Sequence, residues 1–408
     1  MKINRWIEKT ALSEEFLRGR MCFIAGPRQV GKTTTVKSFL SAAGQEKHYY
    51  NWDSPLIKKR FALNPYFFIE DLPSEIKNPW VALDEIHKYP KWKNILKGYY
   101  DEWGDKIRFV VTGSARLDLF RKSGDSLLGR YFLFRMLPLG PREVAGLAVD
   151  AQNTWFPGQP LQVIPTASAK IGGAIEALLH LAGYPEPFSA GTQNFCNRWR
   201  GQHISLILGE DLRDLTKIEH IQKLETLLYL LPERVGAPLS LNSLTKPLAA
   251  AFGSIRLWLE ALKMVYLIFS ISPWASAVSR SILKEEKYYF WDWGMAEGPG
   301  TRFENFMAVQ LARMISFWNE LGHEPYKLYY LRTKDGREVD FVIADRKKPK
   351  MLIEVKEGDV SLSGNLAYFQ KKLGVDLAVQ VVLKKNVCIQ KDRGLYIMGA
   401  DRFFSMVV

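Results

Sequence analysis

The sequence predicts an α/β protein with a parallel, helix-wound sheet at its N-terminus, a helical middle and a second α/β domain at its C-terminus. Three observations carry that prediction. Short apolar runs alternate with helical segments through the first 145 residues. The octapeptide GPRQVGKT, Gly26–Thr33, follows one such run and opens a helix. Near the C-terminus, REVDFVIADRKKPKMLIEVK sets charged side chains inside two strand-like runs joined by a basic turn.

Taken in order, MCFIAG is a strand entering a glycine loop, and KTTTVKSFLSAA is a helix. KHYYNWD, WVALDEI and RFVVTGS are three further strands, the pattern of a doubly wound parallel sheet. Pro, Gly, Ser and Thr accumulate between Val149 and Lys170, which reads as a linker. Boundaries follow: a core over 1–148, a linker over 149–170, a helical domain over 171–278 and a final α/β domain over 279–408. Within the helical part, LSLNSLTKPLAAAFGSIRLWLEALKMVYLIF reads as helix, turn, helix, then SISPW. A winged-helix unit and a plain helical linker domain with a buried aromatic stripe both fit that outline. Only Arg256 and Lys263 decorate the would-be recognition helix, which is thin for base reading. One long helix, Phe303–Phe317, precedes the charged hairpin.

The 408 residues suffice for two or three cores. A formal charge of +13 favours polyanionic partners such as nucleic acid, and an anionic membrane surface attracts it too. Three scattered cysteines fit neither a disulfide framework nor a zinc site. No segment reads as a secretory signal, and the most hydrophobic helix carries Arg256, Glu260 and Lys263. The expectation is a soluble, cytoplasmic protein that does not span a membrane.

GPRQVGKT has the spacing that phosphate binding requires. Gly26 and Gly31 let the backbone N–H groups of Gly26, Pro27, Arg28, Gln29, Val30 and Gly31 curl around phosphates, as far as each residue has one. The following helix start, Lys32, Thr33 and Thr34, adds positive dipole. Lys32 would reach the β- and γ-phosphates of ATP, and the Thr33 hydroxyl would ligate magnesium. In WVALDEIH an apolar strand ends in Asp84 and Glu85: Asp84 to hold the magnesium through water, Glu85 to polarise the attacking water. Thr112 or Ser114, at the end of an adjacent strand, could contact the γ-phosphate, and a capping role fits Ser114 equally. Arg130, in SLLGRYFLFR, suits an arginine finger in cis or in trans, or a plain surface arginine. DEIH also matches a helicase box, but the residues after 145 contain no second lobe of that kind.

In the hairpin, side chains alternate faces. Val339, Phe341 and Ile343 share one face of the first strand, and Glu338, Asp340 and Val342 the other. Pairing with MLIEVK brings Asp340, Glu354 and Lys356 together. Two carboxylates so close repel unless a cation lies between them, and magnesium is such a cation. Asp340 and Glu354 are the expected metal ligands, and Lys356 would orient a water or stabilise the phosphate. A surface salt bridge of Lys356 with either carboxylate is the plainer alternative.

Asp followed, after a turn, by Glu-x-Lys resembles the motif of restriction-endonuclease-like nucleases, PD-(D/E)xK. That resemblance implies an upstream helical glutamate, for which Glu304 is placed, and makes Gln370 an auxiliary. GPRQVGKT, LDEIH, TGSA, SLLGR, PLGPREV, GYPEPF, DLRDL, KYYFWDWG, FEN, REVDF and IEVK occur in order. With them nearly the whole chain resembles the bacterial and archaeal AAA-type ATPases that carry a C-terminal restriction-endonuclease-like domain of unknown function. The resemblance implies a cytoplasmic ATP-binding protein, an ATPase; read together with the residues above, the expectation is a magnesium-dependent ATPase acting on DNA through its C-terminal domain, with Glu85, Arg130, Asp340, Glu354, Lys356 and Glu304 catalytic. A nucleotide-gated DNA- or protein-binding switch with an inactive nuclease fold is the alternative. The partners implied are ATP and DNA, with a homo-oligomer or an unidentified protein partner left open.

Overall fold

A computed structural model of the chain describes residues 3–113, 127–147, 154–161, 168–215, 221–274, 285–323, 325–358 and 360–407. They form two compact units, Met1–Leu137 and Pro138–Val408.

The first unit is built on five parallel strands: β1 (Met21–Ala25), β2 (Tyr49–Asn51), β3 (Trp80–Asp84), β4 (Arg108–Thr112) and β5 (Tyr131–Arg135). Their order is β2-β3-β4-β1-β5. MCFIA and RFVVT are buried along their whole length, as strands covered on both faces must be. Helices Lys32–Ala42, Pro55–Leu63 and Trp92–Trp103 follow β1, β2 and β3. Proline opens the second of these, where its missing N–H costs nothing. The core is aromatic: Trp52, Phe61, Phe67, Phe68, Tyr99 and Phe109 pack with Phe23 from β1. Several of these rings meet edge to face, Phe68 on Tyr99 at 4.8 Å among them.

Four strands were legible as core strands, and the fifth is a correction. Tyr131–Arg135 does not lie past the sheet but extends it, pairing with β1 from Met21↔Tyr131 to Ala25↔Arg135. Strand β1 therefore has β4 on one side and β5 on the other. The chain order reverses at its carboxyl end, the crevice where open α/β sheets place ligands.

The second unit carries an eight-stranded mixed sheet, β12-β13-β11-β10-β9-β8-β6-β7. Its strands are β6 (Ile268–Pro273), β7 (Lys287–Phe290), β8 (Lys327–Arg332), β9 (Glu338–Ala344), β10 (Pro349–Lys356), β11 (Leu377–Val382), β12 (Cys388–Asp392) and β13 (Leu395–Gly399). From the helix Pro299–Glu320 onward the order is helix, three antiparallel strands, helix, then β11 parallel to β10. The crossover helix Gly364–Leu373 sets Leu366 and Phe369 against Val342, Ala344, Leu352 and Ala378. The 22-residue helix Pro299–Glu320 is buried on most of its faces, which explains its apolar run FMAVQLARMISFW.

The first compact unit ends at Leu137, and PLGPREV is tied to the long helix of the second. Arg313 donates to Glu143 at 2.7 Å and Gln310 to the Leu139 carbonyl at 3.3 Å. The boundary at 278 lies outside the described residues; the strands flanking it, β6 and β7, pair antiparallel, and β6 joins β8 through Ser272↔Tyr329. Helices Asn242–Leu248 and Phe252–Met264 do follow each other, but the strands after them belong to the eight-stranded sheet. Among the described residues, no helix is long and apolar enough to cross a membrane.

Strand β7 is held in place by a side chain. Asn305, fully buried, accepts from the Phe290 N–H at 2.9 Å and donates to the Phe290 carbonyl at 2.7 Å. Asn305→Ala leaves both backbone groups buried without that partner, which should cost about 2–4 kcal/mol. Urea unfolding of the full chain checks this, and an unchanged midpoint contradicts it.

Candidate functional site

Two groups of side chains carry chemistry, one in each unit. In the first, β1 delivers the chain into GPRQVGKT, where Gly26, Gln29 and Gly31 have φ of +146°, +59° and +101°. Such left-handed positions turn successive N–H groups into one concavity. Gly26 has a second constraint: a Cβ there would run into the Met136 carbonyl. Lys32 is buried, and its ammonium donates to the carbonyls of Gly26 at 2.9 Å and Pro27 at 2.7 Å. The loop thus holds the lysine across its own mouth. Arg28 lies within electrostatic reach of Lys88, and Thr34 is exposed on the first helical turn.

Asp84 ends β3 in register with Asn51 of β2 and Thr112 of β4. Its carboxylate is only 2% exposed, yet three hydroxyls donate to it: Thr33 at 2.8 Å, Tyr49 and Thr112. Burial, then Asp84 itself, pushes the Tyr49 phenol upward, so it remains a donor. The Thr33 hydroxyl and the Asp84 carboxylate lie side by side at the helix start. A hard hydroxyl oxygen and a carboxylate are the donor set magnesium prefers, and the loop's convergent N–H groups suit phosphate. These residues fit the ATP and magnesium that the octapeptide implies.

Glu85, next along, adopts φ +58°. Burial raises its carboxyl above the ordinary range, against the pull of Lys88 at 3.6 Å. His87 lies 3.5 Å from the same oxygen. Arg130 corrects an expectation. It lies just before β5, its carbonyl accepting from the Met21 N–H at 2.9 Å, at the amino end of the parallel sheet, whereas the phosphate loop leaves the carboxyl end. Its guanidinium pairs with Asp101 at 2.7 Å. A finger reaching its own loop is excluded by that placement. Ser114 lies outside the described residues; Thr112, named beside it, is the hydroxyl donor to Asp84.

In the second unit, β9 and β10 pair with Phe341↔Ile353 and Val342↔Leu352, which sets Asp340 beside Glu354. Asp340 accepts from the Val355 N–H at 2.8 Å. Glu354 is 5% exposed; one oxygen takes Lys356 at 2.9 Å, and the other is buried without a hydrogen-bond partner. From the second turn of the long helix, Glu304 reaches the same region and accepts from Tyr289 at 2.8 Å. Gly236 closes over it: a Cβ there would sit 2.7 Å from a Glu304 oxygen. Burial and the Asp340 charge push Glu304 up to about 8 and Glu354 to about 7. Asp340 is raised as well, by burial, with Lys287 opposing.

The structure brings together Asp340, Glu354, Lys356 and Glu304. It leaves Gln370 out, because that amide donates to the Arg393 carbonyl at 3.2 Å. The glutamine at the site is Gln380 of β11, in register with Glu354 and fully buried. It accepts from the Ser363 N–H at 2.8 Å, and the Ser363 hydroxyl lies 3.5 Å from Glu354. Sequence reasoning also passed over Lys287 in KYYFWDWG. Its ammonium, on β7, faces Glu304 at 3.9 Å, Asp340 at 4.0 Å and, closest, Glu338. The one signal was a lysine opening an otherwise aromatic strand. Among the described residues no group of three His, Cys, Asp or Glu side chains is gathered closely enough to hold a metal alone. One or two carboxylates with water is the lesser demand of magnesium.

Residues 18–145 match the family model of an AAA domain. Residues 173–298 and 299–399 match two further models, each described as a domain of unknown function (DUF8612 and DUF4143). The uncharacterized proteins Mb2031c of Mycobacterium bovis and Rv2008c of Mycobacterium tuberculosis are each 24% identical over 358 residues, spanning 84% of this chain and 72% of theirs. The Aeropyrum pernix ORC1 protein, solved in complex with DNA, aligns at 14% identity over 72% of this chain and 88% of its own. Its TM-score of 0.33 is too low to bear on this chain.

Carboxyls that hold their protons more tightly when folded make stability fall as pH rises. Glu304 and Glu354, displaced upward from 4.5, bind more protons folded than unfolded between about pH 4.5 and 8. In EDTA the second unit should therefore be more stable at about pH 5 than at about pH 8, and Glu304→Gln should flatten the slope. Thermal unfolding across that range checks it; a profile that rises with pH contradicts it.

Proposed function

With an AAA domain in the N-terminal unit, we propose that the chain binds ATP with magnesium, hydrolyses it, and acts on DNA through the C-terminal carboxylate site. The observation that supports the first half is the junction of Thr33, Asp84 and Lys32 at the carboxyl end of β1 and β3. Lys32 binds the terminal phosphates once it leaves the loop carbonyls. Thr33 and Asp84 hold magnesium, which supplies charge neutralisation at the phosphates when bound. Glu85, directly after Asp84 and raised by burial, takes the proton of the attacking water.

For the second half, the support is the helix-strand-strand-strand-helix-strand order that sets Glu304, Asp340, Glu354 and Lys356 at one place. That residue set is the one the PD-(D/E)xK resemblance implies. Asp340 and the unpartnered oxygen of Glu354 would hold a divalent cation, and Lys356, 43% exposed, would meet the phosphate. The chain's +13 charge agrees with a polyanionic substrate. A second reading, a nucleotide-gated DNA- or protein-binding switch with an inactive nuclease fold, is favoured by the pairing of Lys356 with Glu354. Magnesium-dependent cleavage decides between them: the first reading expects cutting lost in Asp340→Ala and Lys356→Ala, the second salt-dependent binding with no cutting.

For the ATPase itself, Lys32→Ala should abolish binding of a fluorescent ATP analogue. Glu85→Gln should bind normally and turn over about 100-fold more slowly. Unchanged binding in the first variant rejects the site, and unchanged turnover in the second rejects Glu85 as the base.

A further inference from the structure

Lys287 is the most buried ammonium near either site. Its side chain is 1% exposed, and burial alone would drive it toward the neutral form. Instead three carboxylates, of Glu304, Asp340 and Glu338, face it and favour the charged form. The charge is fixed in position as well as in state. Strand β7 is paired with β6, clipped to the long helix through Asn305, and bridged on its outer side from Lys287 to Pro238. The Tyr330 ring lies 5.3 Å from the ammonium. Glu338 is shared, with Arg332 at 3.2 Å on its outer oxygen.

A buried ion pair is a poor source of stability compared with apolar packing. A lysine here is intelligible if the carboxylates are needed for another purpose and must be neutralised. Without that ammonium, three carboxylates facing one point would repel one another. We propose that the Lys287 ammonium is a built-in counter-ion standing where a divalent cation would otherwise neutralise Glu304, Glu338 and Asp340. It leaves one divalent position, at Asp340 and the buried, unpartnered oxygen of Glu354. This rests on reading the C-terminal carboxylates as a cation site, and it makes Lys287 a positioning residue that fixes how many cations the site takes.

The test is thermal unfolding of the full chain in EDTA, in magnesium chloride and in manganese chloride. Lys287→Met should unfold roughly 10 °C below wild type in EDTA, since three half-buried carboxylates lose their partner. At least half of that loss should return with manganese, a larger response than wild type shows. Lys287→Met/Glu338→Gln removes the closest pair together. It should unfold above the single variant in EDTA and lose the extra response to manganese. A single variant equally destabilised with and without manganese overturns the proposal. So does a double variant no more stable than the single, or one that fails to fold, either of which makes Lys287 a packing residue. DNA cleavage plays no part in this readout. A wild-type chain that cuts no DNA rejects the nuclease reading, while the extra manganese response of Lys287→Met still upholds the counter-ion.

Discussion

Burying a carboxylate requires something to hold its charge, and both sites are organised by that requirement. At Asp84 the compensation is neutral: three hydroxyls from three different elements converge on one carboxylate. In the second unit it is ionic: one ammonium faces three carboxylates. The difference matters chemically. Hydroxyls stabilise a carboxylate without cancelling its charge, so Asp84 stays available to a cation. An ammonium cancels charge, so the cluster around Lys287 keeps less negative charge than its count of carboxylates suggests.

The scaffolds follow from the same requirement. Asp84 can be reached by Thr33, Tyr49 and Thr112 because β3 ends level with β4, and the phosphate loop opens above β1 beyond it. Strand β5 closes the far side of β1 and makes it interior, which is why MCFIA carries no polar residue. In the second unit, β7 must be an ordered strand for Lys287 to be aimed. Asn305, the residue after Glu304, supplies that order, so adjacent residues of FEN serve charge and position.

Much of this was legible in the residues. GPRQVGKT, the strand ending in Asp84 and Glu85, and the alternation that gathers Asp340, Glu354 and Lys356 all depend on local spacing, which sequence displays. What was hidden depends on tertiary register. Gln370 and Gln380 are indistinguishable as letters, and only the β10–β11 pairing shows that the second stands beside Glu354. Lys287 lies seventeen positions before Glu304, and its meaning comes from three carboxylates on two other elements. Arg130 reads as near the phosphates until Tyr131–Arg135 is seen to be a strand, which places the arginine at the sheet's opposite end. The boundary at 137 was hidden too, because PLGPREV declares its side only through Arg313 and Gln310.

The central claim is that a hydroxyl-held Asp84 beside Thr33 forms a magnesium-dependent nucleotide site. Calorimetric titration of ATP into the full chain, in magnesium and again in EDTA, tests it most directly. The account predicts saturable binding that weakens at least about tenfold in EDTA, with Asp84→Ala losing that metal-dependent part. Binding of equal strength in both, or none at millimolar ATP, would contradict it.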